Sequence, residues 1–453
     1  MTGTKISQYP PNTNPPDSFE FLGTDPTNFS EGPTGTTETV PLSVLAAKIG
    51  GGGSSSVTWK DLVGTYGADP TGATSSSTAL ANACSAAASA GTNRFGLWVP
   101  PGTYTLNEPQ VIPQGMVMMG AGCNGGTPTG AYDGTTFSAS SSFSGSALLE
   151  VNDTPDGPGV NGPVLSGFAL YGANYTAEAV DGLLITGPCF TKIRDVNIIK
   201  MSGNGVNTHV DATASPIGAD GMDFDGMTVD SCAGIGMRLV WPEDGQFANI
   251  YVIGCGGDGW QIAGGDNSHF DRCRAEWSGG YGLHLTNITD GGDTYTWSYT
   301  PGYIQFNGFS TDANYQSGVR IDGTWTPGGA GTGPCTVNFS NLTCRRDGQQ
   351  YSGASGSWAG IDVDYSGATG GALGLPVYVN GVSVITGVPD TGSGMAPRYG
   401  VRANATGTAP FKLSGSGLVM GLTAAALTGG TVTNYSLASS IDTYAGNNYS
   451  YPG

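Results

Sequence analysis

Apolar residues in the middle of the chain alternate with polar ones in short bursts, and the bursts themselves recur. Phe224, Met227, Val229 and Cys232 lead into Gly236-Met237-Arg238-Leu239. Phe247, Ile250, Val252 and Cys255 repeat this 23 residues later, ahead of Gly259-Trp260-Gln261-Ile262. Another 23 residues bring Phe270, Cys273, Ala275 and Trp277, then Gly282-Leu283-His284-Leu285. Copies with insertions follow at Phe306, Phe309 and Thr311 with Gly318-Val319-Arg320-Ile321, and at Phe339, Leu342 and Cys344 with Gly360-Ile361-Asp362-Val363. Weaker ones lie at Leu165, Phe168 and Leu170, at Ile193, Val196 and Ile198, and at Val379, Val382 and Val384. Alternation of this kind predicts half-buried strands. Each unit reads as two short strands around a glycine turn, too small to bury its own apolar face, so the units stack as coils. Strand pairing sets the coil spacing at about 4.8 Å. The predicted fold class is therefore all-β, a parallel β-helix solenoid over 107–428. A leucine-rich repeat would need its Leu/Asn consensus and a propeller about 40 residues per blade; the chain has neither.

Ahead of the coils, 57–106 reads as an entry unit. It has an extended run Val57–Leu62, a turn at Gly67-Ala68-Asp69-Pro70, and one alanine-rich helix over Ser77–Ala90. Gly96-Leu97-Trp98-Val99 then predicts a strand, turned by Pro100-Pro101-Gly102. Residues 1–49 are rich in Pro, Thr and Asn and end in a short helical stretch, Val40–Ile49, with Ser43 placed to cap it. Gly50-Gly51-Gly52-Gly53-Ser54-Ser55-Ser56 is a flexible linker by composition, which makes 1–49 a separate small module. The tail, 429–453, carries no clear repeat and is expected to cap the coils or an assembly.

Composition agrees with a turn-rich solenoid. The 453 residues include 77 glycines, more than twice the roughly 7% of average usage. Tight corners where φ is positive would use many of them. Only 16 Lys/Arg and 35 Asp/Glu are present, a net charge of −19. Such a surface repels phosphate backbones and anionic bilayers, so nucleic acid and membrane are not expected partners. No apolar run reaches the 18 or so residues of a membrane span. The Met1–Pro16 start has no hydrophobic region of the secretory kind, so no signal peptide is expected and exit would be by host lysis. The eight cysteines show no zinc spacing and read as small core residues. Cys232 and Cys255, one coil apart at the same repeat position, leave a thiol ladder or a disulfide open. Asp220, Asp223 and Asp225 share a turn but not a calcium-loop spacing, so neither metal nor cofactor is expected.

The entry unit together with the coils resembles the pectate-lyase-like right-handed β-helix superfamily, in particular bacteriophage tailspikes. The resemblance rests on Val57–Leu62, Gly67-Ala68, the helix Thr78–Ala88 and the Pro100-Pro101-Gly102-Thr103-Tyr104 loop. Thr74-Ser75-Ser76-Ser77 stands where that family usually has an acidic run. Residues 1–49, with Lys5-Ile6-Ser7 and the Val40–Ile49 tail, look like the adaptor that seats tail fibres and spikes on the virion. Membership would imply a short N-terminal capping helix, a homotrimer, a virion-tail location, attachment to a tail or baseplate protein through 1–49, and a host-surface polysaccharide as receptor. The polygalacturonase signatures Asn-Thr-Asp, Asp-Asp and Gly-His-Gly are missing, as are the arginine-centred signatures of pectate lyases. Two readings follow: a spike that binds host polysaccharide and depolymerises it, by glycoside hydrolysis ahead of lyase chemistry, or a non-enzymatic receptor-binding or structural tail protein on the same fold.

Repeat register then points to where chemistry would sit. Six residues after each leading Phe or Ile come Ile199, Asp230, Ile253, Glu276, Asp312 and Arg345. Glu276 and Asp312 thus fall on adjacent coils, with Asp230 two coils from Glu276. Carboxylates about 5 Å apart suit retaining glycoside hydrolysis and wider pairs suit inverting hydrolysis. Mutual repulsion would raise one pKa into the range of a proton donor. Glu276, Asp312 and Asp230 are therefore the catalytic candidates, with Arg274 and Arg345 flanking them as substrate contacts. A second polar column, Arg238, Gln261, His284, Arg320, Asp362 and Arg402, adds Arg238, His284 and Arg320 as binding candidates. Trp241 and Trp297 lie in insertions and suit sugar stacking, whereas Trp260 and Trp277 occupy inward register and read as core.

Overall fold

The computed structural model describes residues 58–437 except 91–94, 124–133, 153–161, 173–178, 188–189, 211–218, 291–292, 300–301, 327–332, 349–357, 366–371, 386–396, 398, 405–410, 414–417 and 422–432. The 1–49 module and its linker lie outside the described residues, as does most of 429–453. No described helix is long and apolar enough to cross a membrane.

The chain is a parallel β-helix. One face stacks Asp223–Asp225, Gln246–Ala248, Ser268–Asp271 and Tyr303–Asn307 in parallel. A second stacks Thr228–Asp230, Tyr251–Ile253, Arg274–Glu276 and Ser310–Asp312. A third stacks Met237–Val240, Trp260–Ala263, Leu283–Leu285, Val319–Ile321 and Ala359–Asp364. Each coil therefore has three strands where the sequence pattern predicts two. The first two faces run on as one strand in Lys192–Ile199, Thr336–Arg345 and Val377–Ile385, bent by a single residue of positive φ: Asp195, Asn341 and Gly381. At that residue the apolar spacing widens from two positions to three, as from Phe339 to Leu342, so both halves of the strand keep their apolar side chains inward.

The interior is a set of ladders. Phe224, Phe247, Phe270, Phe306 and Phe339 are all buried, with successive ring centroids 5.3, 4.6, 4.6 and 4.7 Å apart. Burying each ring contributes roughly 1.5–3 kcal/mol, so the ladder is a principal source of stability. The repeat's glycines have a different cause from positive φ. A Cβ on Gly236, Gly259 or Gly282 would lie 2.6 to 2.7 Å from the carbonyl oxygen of the equivalent glycine on the next coil. Close backbone approach between coils, and not a left-handed corner, fixes glycine there. The left-handed corners themselves admit Asn249, Ser231, Arg272 and Trp277.

At the N-terminal end, Trp59–Asp61 is a strand, but a short helix, Leu62–Tyr66, replaces the end of the predicted extended run. Asp61 caps it, accepting from the Val63 and Gly64 amides at 2.8 and 2.7 Å. The predicted alanine-rich helix spans Ser77–Ser89, with Leu80, Ala83 and Ala87 joining the core.

Cys232 and Cys255 are both buried free thiols. Each donates to the carbonyl two residues back, Cys232 to Asp230 and Cys255 to Ile253, both at 3.8 Å, and the interaction between the two thiols pushes Cys232 up and Cys255 down. The ladder alternative is the one present.

Candidate functional site

Strand register assembles the predicted column. Ile253 pairs with Asp230 and Glu276, Glu276 with Asp312, and Asp312 with Arg345. Glu276 and Asp312 are only 7% and 3% exposed, and an arginine cluster covers them. Arg274 contacts Glu276 and reaches Asp312 at 3.5 Å. Arg345 grips Asp312 through Nε at 2.9 Å and through Nη2. Arg346, which sequence reasoning passed over, reaches the same carboxylate at 3.2 and 3.3 Å. Its position follows from a local signal, the Arg345-Arg346 pair at the end of the strand. Asp230 lies in the same column two coils from Glu276, outside the arginine cluster, and accepts from Ser231 Oγ at 2.6 Å.

Burial and the neighbouring Asp312 charge push the Glu276 carboxyl up to about 7, against the opposing pull of Arg345 and Arg346. It can therefore hold a proton at neutral pH beside a second carboxyl group. The rim of the site is open: the side chains of Arg274 and Arg345 are 41% and 46% exposed. Arg274 also lies over the Tyr251 ring, 5.3 Å from its centroid.

Trp277 is not a core residue. It takes φ 53°, the left-handed bend that ends the second face, and is 49% exposed. Inward register counted on from Ala275 fails there because that bend turns the side chain outward. Trp241 and Trp297 show the opposite error. Trp297 is 1% exposed, and its indole donates to the Thr286 carbonyl at 2.9 Å. Trp241 is also buried, edge-on to Tyr295. The antiparallel hairpin Ile288–Asp290 with Asp293–Tyr295 supplies Tyr295, and Ile288 packs against Val240 and Ala263. Neither indole presents a face for a sugar.

The second polar column forms as predicted, but as a matched ionic network. Arg320 contacts Asp322, Asp362 and Asp364 at 3.1, 2.8 and 2.8 Å, and Arg402 also grips Asp362. Arg238 reaches Asp290 at 3.3 Å. His284 bridges Asp258 at 2.8 Å and Asp322 at 3.1 Å. Burial works against its charged form, but the bonds and charges of the two aspartates prevail and hold it up at about 9. With these side chains occupied by one another, the column reads as an inter-coil tie.

The predicted Asp220, Asp223 and Asp225 group is dispersed. Asp223 pairs with Arg194 and Asp225 accepts from Asn249. Asp220 instead stacks on Glu243, which is bridged to Asp266. Burial, with like charge from Asp244, raises all three carboxyls. The described residues hold no grouping of His, Cys, Asp and Glu suited to a metal ion.

The fold and the column together define a parallel β-helix with an ionisable cluster on its second face. Residues 62–273 match the family model described as rhamnogalacturonase A/epimerase, pectate lyase-like. Among solved structures, the catalytic unit of an α-1,3-glucanase from Streptomyces thermodiastaticus superposes with TM-score 0.51 at 16% identity, over 88% of this chain and 70% of that one. The catalytic domain of Agl-KA gives TM-score 0.51 at 12% identity, over 86% and 69%. The gp42 tailspike of Acinetobacter phage vb_AbaP_AS12 gives 0.50 at 12% identity, over 85% and 63%. These likenesses establish the fold. No curated protein matches the sequence.

Proposed function

We propose that the chain is a phage tailspike or minor tail protein that binds host-surface polysaccharide on its second face and hydrolyses it there. The observation that carries the reading is the Glu276–Asp312 pair: two carboxyl groups on adjacent coils, one able to hold a proton near neutral pH, under a half-exposed rim. Glu276 would protonate the glycosidic oxygen as the bond to the anomeric carbon breaks. Asp312 would attack or stabilise that carbon, and water would then release the sugar. Coil spacing of about 4.8 Å favours the close, retaining arrangement over the wide inverting one. Neighbours on the same fold that are named as a glucanase and a phage tailspike support both halves of the reading. Attachment through 1–49, a homotrimer and a virion-tail location complete the proposal.

The test is release of reducing ends from host envelope glycans. Wild-type protein should release them, and Glu276→Gln should abolish release while retaining binding. Wild-type protein that binds glycan without cleaving it removes the hydrolase half. The second reading, a non-enzymatic receptor-binding protein, draws on one observation: three guanidinium groups already contact Asp312. The same assay separates the two, and a native mass of one chain would count against the spike.

A further inference from the structure

We infer that Asn314, clamped by Asp347 and Thr311, is a positioning residue for the Glu276–Asp312 pair: from inside the solenoid it fixes the bend that carries Glu276. The inference rests on the hydrolase reading above and adds to it the part of the site that lies beneath the surface. One amide spans the bend. Asn314 Nδ2 donates to the Ala275 carbonyl at 3.1 Å, and its Oδ1 accepts from the Ser278 amide at 3.0 Å. The residues on either side of Glu276-Trp277 are thereby tied to the coil that bears Asp312. Asp347, one coil further on, accepts from Asn314 Nδ2 at 2.8 Å and from the Asn314 amide at 3.2 Å, which sets the orientation of the side chain. Its other oxygen accepts from Oγ1 of Thr311, the residue before Asp312, at 2.7 Å. Ser278, Thr311, Asn314 and Asp347 are all buried. Gly318 makes room for the clamp, since a Cβ there would lie 2.5 Å from both Asp347 Oδ2 and Thr311 Oγ1.

The neighbouring coils supply the independent observation. Two residues after each member of the outward column comes a buried ladder: Met201, Cys232, Cys255, Ser278, Asn314 and Asp347. One backbone pattern runs along it, as Gly256 donates to the Cys232 carbonyl and Gly348 to that of Asn314. The ladder is thioether or thiol behind Ile199, Asp230 and Ile253, and becomes hydroxyl, amide and carboxyl behind Glu276, Asp312 and Arg345. Thr311 likewise stands where the same strand position holds Val229, Val252 and Ala275 on earlier coils and Cys344 on the next. Burying an acid and an amide where a thiol serves elsewhere costs desolvation and adds no stability that apolar packing would lack. What the polar set adds is direction. Hydrogen bonds hold Glu276 against Asp312 where apolar contacts would let the bend shift. Held so, Glu276 keeps the burial and the neighbouring charge that raise its carboxyl. Asp312, Arg274, Arg345 and Arg346 act on it from the outer side, and Asp347 acts on Asp312 from within.

The experiment compares Asn314→Ser, Asp347→Leu and Asp347→Asn with wild type in the full chain. Serine already fills the ladder at Ser278 but is too short to span from Ala275 to Ser278. Asp347→Leu gives the ladder the apolar character it has at Met201, and Asp347→Asn keeps both shape and hydrogen bonds. Loosening the bend lets Glu276 reach water and part from Asp312, so its titration falls from about 7 toward the ordinary 4.5. The carboxyl infrared band of protein carrying isotope-labelled glutamate, with Glu276→Gln subtracted, reads that titration without substrate. It should fall by about one pH unit or more in Asn314→Ser and Asp347→Leu and recover in Asp347→Asn. In release of reducing ends, the first two variants should lower kcat roughly tenfold and leave KM within about twofold, because the rim is untouched. The alkaline limb of the rate profile should move down with the titration. Activity lost with the Glu276 titration in place means a structural role only and overturns the inference, as does unchanged kcat in folded variants. If Asn314→Ser does not fold, Asp347→Leu against Asp347→Asn decides. Wild type that releases no reducing ends brings down the hydrolase reading. The titration then decides the clamp by itself: a fall upholds it and an unmoved titration overturns it.

Discussion

Replacing Asp347 by asparagine should stabilise the protein at pH 8 and leave it nearly unchanged at pH 4. Asp347 is fully buried. Its carboxylate accepts from Thr311 Oγ1 at 2.7 Å, from Asn314 Nδ2 at 2.8 Å and from the Asn314 amide at 3.2 Å. All three donors are neutral, so they ease the desolvation of the charge without cancelling it. Burial pushes the carboxyl from an ordinary 3.8 to about 7. At about 1.4 kcal/mol per pH unit, this corresponds to roughly 4 kcal/mol. The sign follows from proton counting. Between pH 4 and 7 the native state keeps a proton that the unfolded chain has released, so stability falls as pH rises through that window. Asparagine has the same shape and no charge. Its oxygen can accept both Asn314 bonds, and its amide can donate to a rotated Thr311 hydroxyl. Urea unfolding followed by tryptophan fluorescence at pH 5 and pH 8 measures the effect. The advantage of Asp347→Asn over wild type should grow by about 2.5 kcal/mol across that range, the rest of the effect being already present at pH 5. Glu276 titrates nearby in both proteins, so it largely cancels in the comparison. An advantage of equal size at both pH values would refute the reasoning.

Three further outcomes follow from the same physics. Gly259→Ala places a methyl group 2.7 Å from both the Gly282 oxygen and the Ala275 Cβ. It should cost about 1–3 kcal/mol by overpacking, read as a lower urea midpoint; an unchanged midpoint would mean the coils can part freely. His284→Gln should cost about 3 kcal/mol near pH 6, because His284 rises from 6.5 to about 9 on folding. That contribution is full below pH 6.5 and lost as pH climbs through 9, so wild type and variant should converge by pH 10. Finally, glycan cleavage should decline as pH rises through about 7, where Glu276 gives up the proton it must donate. A rate still rising above pH 8 would exclude Glu276 as the acid.

Much of the site was legible in the sequence because a stacked fold turns spacing into position. A 23-residue repeat says which residues are neighbours on adjacent coils, and strand pairing confirms Glu276 beside Asp312 and His284 beside Arg320. What resisted reading was a residue whose direction depends on one dihedral. Trp277 occupies a left-handed bend, which turns its side chain outward. Alternation counted on from Ala275 places Trp277 inward, because the bend that ends the strand leaves no mark in the residues before it. Trp297 and Trp241 resisted for another reason. An insertion looks like exposed loop in one dimension, whereas Trp297 folds into the main core and Trp241 packs edge-on against Tyr295, which itself packs on the small cluster of Val240, Ala263 and Ile288.

The sequence by itself determined the solenoid, its period, the helix at Ser77–Ser89 and the columns of polar residues, since all of these follow from local alternation and regular recurrence. Tertiary structure decided which column is enclosed and which stands at the solvent. Arg320 and Arg402 are matched by aspartates brought from neighbouring strands and turns, whereas Arg274 and Arg345 stand half in solvent over two buried carboxyls. It also decided that burial pushes both the Glu276 and the Asp347 carboxyls up to about 7. Protonation depends on burial and on charges from other coils, and neither exists until the coils are stacked.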